Sequence, residues 1–127
     1  MRKKSITIAA VLLLLTLICI AEQVMVSLLT RQAMEESRGI LSLIRTDDLQ
    51  EAQKKTHALD QAWDKNARML EVLVDHRSTD DVRFALSKLL AALEGRDAAA
   101  ALIYAGELEG GIEHVYERQA VTIENLF

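Results

Sequence analysis

The chain contains no proline and only five glycines in 127 residues. These two residues are the strongest helix breakers, so their scarcity favours long helices, the more so with Ala and Leu abundant. Aromatic residues are few, with a single tryptophan, Trp63. One cysteine, Cys19, excludes an intramolecular disulfide. No nucleophile elbow, phosphate loop, Ser-His-Asp or Cys-His arrangement occurs, so the chain is expected not to be an enzyme and to carry no cofactor. Excess positive charge is missing too. From Arg31 onward 12 basic and 18 acidic residues leave −6, and such a surface repels phosphate backbones, which excludes nucleic acid as an expected partner.

What the chain does have is an apolar run behind a basic start. Arg2, Lys3 and Lys4 precede SITIAAVLLLLTLICIA, residues 5–21. Residues 6–21 make a helix of roughly 24 Å, a little short of the ~30 Å hydrocarbon core. Glu22 and Gln23 interrupt, VMVSLL at 24–29 resumes the run, and the lysines can snorkel. The helical pattern continues through Cys19-x-Ala21, the nearest thing to a signal-peptidase site, which favours an uncleaved anchor over a signal peptide. Bulky Ile18 before Cys19 argues against lipoprotein processing. With basic residues before the span and acidic ones after it, the N-terminus is expected in the cytoplasm. Residues 1–29 thus read as a signal anchor and 30–127 as an extracytoplasmic helical domain.

Beyond the span, the spacing predicts four helical stretches and an all-α fold. The transmembrane helix continues into an antiparallel three- or four-helix bundle. The first stretch carries Ala33, Met34, Ile40, Leu41 and Ile44, with Gly39 a candidate bend. Asp47 and Gln50 form a capping box for the second. This second stretch places Leu49, Ala52, Thr56, Leu59, Trp63, Asn66, Leu70 and Leu73 at alternating spacings of three and four, a coiled-coil-like seam expected to end near His76. A third helix is expected over about 79–94, with Val82, Leu86, Leu89, Leu90 and Leu93 on one side and Gly95 as its C-cap. Asp97 would cap a fourth, from Ala98 to near Gln119, with Ala101, Ala105, Leu108, Ile112 and Val115 on its seam. Gly106, Gly110 and Gly111 there point to close helix approach or a local bend. The tail VTIENLF is amphipathic.

Short turns make successive helices antiparallel, so equal rise brings His114 to the height of His76. Asp75, Asp80, Asp81, Glu113 and Glu117 join the same layer. Trp63 falls near the level of Ala91, Ala92 and residues 98–101, where an indole facing alanines makes a core anchor whose N–H sits at a polar edge. The polar layer admits three readings. In the first, Asp75 and His76 simply cap their helix; in the second, the layer contacts a partner or responds to pH; in the third, His76 and His114 bind a metal. Against the metal, the Glu-x-x-His motif of di-iron bundles is absent, since Gly111 precedes His114 by three.

Trp63, Asp75-His76, Asp80-Asp81, Glu107-Leu108, Ile112-Glu113-His114 and the ending Thr122-Ile123-Glu124-Asn125-Leu126-Phe127 resemble a bacterial family catalogued as domain of unknown function 4363. The resemblance covers nearly the whole chain. It implies a small, singly anchored helical protein, mostly of Gram-positive bacteria, and no activity. Where that family has an acidic, apolar run after the DH pair, this chain has Arg77-Ser78-Thr79.

The expected function is therefore a non-catalytic interaction or accessory module at the outer face of the cytoplasmic membrane. Its partner would be another membrane or envelope protein, or a second copy. The alternative is a sensory, ligand- or metal-binding bundle using the Asp75, His76 and His114 layer. Only about four residues precede the span, leaving no room there for a cytoplasmic output domain.

One length does not fit at first sight. A second helix of about 30 residues would return ~45 Å, into the bilayer, unless the first bends at Gly39, the helices tilt, or the second ends at the membrane surface.

Overall fold

The computed structural model describes residues 2–71 and 76–126, with side chains through Arg118. Asp75, Leu73 and the side chains of the tail lie outside the described residues. Four helices follow one another: α1 (Arg2–Arg45), α2 (Leu49–Leu70), α3 (His76–Glu94) and α4 (Ala98–Leu126). Among the described residues there is no strand. Each helix packs on its two neighbours, α1 on α2 and α4, and α3 on α2 and α4, giving an up-down-up-down four-helix bundle.

The two described turns are built alike. At the end of α1, Asp48 N–H donates to Leu43 O (2.9 Å) and Asp47 N–H to Ile44 O (3.1 Å). At the end of α3, Asp97 N–H donates to Ala92 O (2.9 Å) and Arg96 N–H to Leu93 O (3.1 Å). Both are Schellman closures, with Asp47 (φ 62°) and Arg96 (φ 54°) in the left-handed position. The aspartate that ends each motif also starts the next helix. Asp48 Oδ1 accepts from Glu51 N–H (3.4 Å), and Asp97 Oδ1 from Ala100 N–H (3.1 Å). The cap of α2 is therefore Asp48 and not Asp47, because Asp47 is consumed by the αL position. Gly95 stands one residue before the residue that needs a positive φ, and its own φ is not positive.

The core is a coiled-coil-like set of stripes. On α1 the buried residues are Val26, Thr30, Ala33, Ser37, Ile40 and Ile44, a strict alternation of four and three. Ala101, Ala105, Leu108, Ile112 and Val115 of α4 are all fully buried, as their spacing predicts. On α2 the seam holds through Trp63 and then passes to Ala67, not Asn66, before Leu70. Polar residues enter the seams by bonding their own helix: Thr30 Oγ1 donates to Val26 O (2.8 Å) and Thr56 Oγ1 to Ala52 O (2.6 Å).

Three boundaries differ from expectation. α1 continues through Gly39 as one helix. α2 closes at Leu70, with Glu71 N–H donating to Ala67 O (2.8 Å). α3 opens at His76, three residues before Thr79, because Ser78 and Thr79 do not cap from outside. They are buried in its first turn, and Thr79 Oγ1 donates to His76 O (2.9 Å). α4 absorbs the tail through Leu126, since no glycine or proline follows Gly111 to stop it.

The 22 residues of α2 span about 33 Å, not 45. Trp63 borders the same small cavity as Leu29 and Ala33 of α1, so Leu70 falls level with about residues 22–26. The Arg38–Glu109 pair (3.4 Å) sets α1 against α4, and at equal rise the end of α4 falls level with about Ala21. The bundle thus ends where the exposed apolar stretch of α1 begins. In an 18-residue window of that stretch no residue is buried, and its mean hydropathy is 2.4.

Candidate functional site

The lower end of the bundle gathers the residues the sequence singles out. Trp63 is 2% exposed, and its Nε1–H donates to Thr79 O at 3.2 Å. The indole is thus buried with its N–H bonded, in surroundings other than those the spacing predicts. Thr79 is about 18 Å down α3 from Ala91, so the indole packs beside the start of α3 and against α1, not against the alanine ring.

His76 is largely exposed, and its Nδ1 lies 3.7 Å from Glu71 Oε2. It opens α3 and does not close α2, so the dipole argument for it as a C-terminal cap lapses. Asp80 Oδ1 lies 3.3 Å from Arg83 Nη1. On α4, Glu113, His114 and Glu117 are exposed. Val82 touches the position of Gly111, which fixes the α3–α4 register and puts Asp80 level with about Glu113 and His76 with about Glu117. The layer exists as a height. On α3, His76 pairs back to Glu71 at the end of α2, and Asp80 pairs with Arg83 of its own helix. Among the described residues no group of three or more His, Cys, Asp or Glu is arranged to hold a metal.

The residue that organises this corner is Arg83, which the sequence reading passed over. Its Nη1 lies 3.4 Å from Glu71 Oε1, and its Nη2 3.5 Å from Asp64 Oδ1, beside the contact to Asp80. One guanidinium thus ties the last turns of α2 to the first turn of α3, across residues 72–75. Its signal is modest: Asp64 and Glu71 are seven apart and share a helix face, and Asp80 and Arg83 are an i,i+3 pair. These side chains are only partly buried, and each contact contributes on the order of 1 kcal/mol.

A second feature lies on the other side. Between residues 23–38 of α1 and the lower half of α4 runs a cleft of about 760 Å³. Val24 and Leu28 border its lower end, Met34 and Ile112 line it in the middle, and Arg31, Glu35, Glu113 and Tyr116 stand around it. Elsewhere α3 and α4 are fastened by Lys88, whose Nζ is 3.5 Å from Glu107 Oε2 and 5.8 Å from the Tyr104 ring centroid.

One family model matches the chain, a domain of unknown function (DUF4363), over residues 22–126. No curated protein and no solved structure matches it.

Proposed function

The chain belongs to the DUF4363 family, and on that premise we propose that it is a membrane-anchored, non-catalytic accessory module. In this reading residues 6–25 of α1 cross the cytoplasmic membrane, the basic start stays inside, and the bundle stands on the outer face. It there binds or stabilises another membrane or envelope protein, or a second copy.

The observation that carries the reading is the continuity of α1. A helix whose lower part is apolar and exposed all round continues, unbroken, into a part buried along one stripe. The first pattern suits hydrocarbon and the second a bundle. Since the hydrogen-bonded backbone does not break between them, the bundle is held at a fixed height and cannot drift as a tethered domain would. The absence of any nucleophile–base arrangement in the sequence supports the non-catalytic half of the reading.

Thiol labelling tests the orientation. In a Cys19→Ser background, a cysteine placed at exposed Ala91 should react in intact cells with a membrane-impermeant maleimide. Labelling only after lysis would overturn the topology. Co-purification from native membranes tests the partner, and a chain recovered alone and monomeric would count against the accessory role.

A further inference from the structure

We propose that the cleft between residues 23–38 of α1 and the lower half of α4 seats a phospholipid from the surrounding bilayer, one whose phosphate carries a primary amine. The proposal rests on the anchor reading above and gives it a ligand.

The argument is one of order along the cleft. Val24 and Leu28 are 52% and 60% exposed, and they continue the exposed apolar surface of residues 6–20 upward into the cleft. Arg31 stands about one turn above Leu28. It is exposed and, among the described residues, makes no ion pair or side-chain hydrogen bond. Its neighbours in kind are engaged: Arg38 with Glu109, Arg83 with three carboxylates. Next come two carboxylates, Glu35 one turn above Arg31, and Glu113, which the Arg38–Glu109 register places level with about Met34. From the membrane outward, below the Arg38–Glu109 pair at its top, the cleft therefore reads apolar, cationic, anionic. A phospholipid bearing an amine reads acyl chain, phosphate, ammonium, the complementary series.

The heights agree. Counting from Ile6, a hydrocarbon core of ~30 Å takes about 20 residues of helix and ends near Met25. The headgroup layer adds about 5–7 Å, or four to five residues, so Arg31 emerges at its outer edge and can reach down to a phosphate. Tyr116, half exposed on the opposite wall, is the residue type that favours this interface. Two carboxylates above the arginine disfavour a headgroup with further negative charge. A quaternary ammonium gives them no N–H to accept. Phosphatidylethanolamine has the required chemistry, with phosphatidylglycerol and phosphatidylcholine the informative contrasts.

The full chain reconstituted in nanodiscs of the three lipids in equal parts, released and weighed by native mass spectrometry, tests this. Wild type should retain phosphatidylethanolamine several-fold above the other two. Arg31→Gln should lower total retained phospholipid several-fold, while Glu113→Gln should erase the preference over phosphatidylcholine and keep the phosphate-dependent part. Both changed groups are exposed, and unchanged helical circular dichroism checks that the variants fold. Equal retention in wild type and Arg31→Gln, or a preference for phosphatidylglycerol or phosphatidylcholine, overturns the lipid seat and leaves the anchor standing. A chain that never enters the discs removes the anchor and the seat together.

Discussion

Alanine substitution of the glycines separates those that hold helices together from those that merely occupy them. A Cβ at Gly106 or Gly110 would meet nothing within 4 Å. Both are exposed in the middle of α4, so each replacement should return the full difference in helix propensity, about 1 kcal/mol. For a bundle of this size that is about 4–8 °C in Tm. Gly111 is different. A Cβ there would lie 3.3 Å from Val82 Cγ2, with Val82 Cα and N at 3.9 Å behind it. Val82 is fully buried, and its branched side chain has essentially one rotamer on a helix, so it cannot turn aside. Relief then requires α3 and α4 to separate, and overpacking of that kind costs about 1–3 kcal/mol. Against the same propensity gain, Gly111→Ala should lose about 0–2 kcal/mol. Urea unfolding of the full chain in detergent measures all three, with Trp63 as the fluorescent reporter because it is the only tryptophan and is buried. If Gly111→Ala stabilises as much as Gly106→Ala, the close approach at Val82 is wrong. If Gly106→Ala destabilises, that face of α4 is covered by something in the state measured.

Other substitutions test the turns, the core and the charged corner by the same assay. Arg96→Gly removes a non-glycine residue from the left-handed region and should stabilise by about 0.5–1 kcal/mol, whereas Asp97→Ala loses the cap of α4 and should cost about 1 kcal/mol. Ser37 Oγ is buried without a hydrogen-bond partner, so Ser37→Ala should gain about 1 kcal/mol; a loss would show that the hydroxyl has a partner after all. Arg83→Ala should cost about 1–2 kcal/mol, and the difference from wild type should shrink in high salt because the pairs it removes are still reached by solvent.

What the sequence made legible was periodicity. Ala101, Ala105, Leu108, Ile112 and Val115 all land in the core because one seam of period 3.5 on an uninterrupted helix leaves little choice of face. The turns were less legible, and for an identifiable reason. Two adjacent aspartates, Asp47 and Asp48, are both good caps by composition, and only the Schellman bonds decide which is left free to cap. The same ambiguity misplaced the start of α3. Ser78 and Thr79 look like caps, yet a threonine that bonds its own helix can sit inside the first turn, and burial beside Trp63 selects that option. Arg83 was missed because its three carboxylates come from both sides of a helix boundary that had been set too late.

That boundary also decides what the lower end of the molecule can be. With α2 drawn on to His76, the polar layer belongs to a helix C-terminus; with α2 closed at Leu70, His76 and Asp80 belong to the start of α3, where His76 pairs back to Glu71 and Asp80 with Arg83 of the same helix. The exposed carboxylates of α4 are then left to the other side, where Glu113 borders the cleft with Arg31. The family match begins at Glu22, the same place where α1 changes from exposed on every side to buried along one stripe. Physically the two parts constrain sequence differently. Any run of sufficient hydropathy satisfies hydrocarbon, but Val26, Thr30, Ala33 and Ser37 must fit partners on α2 and α4. On the anchor reading proposed above, the apolar stretch can therefore change residue by residue while its length is kept, whereas the cleft depends on the register that the stripe above it sets.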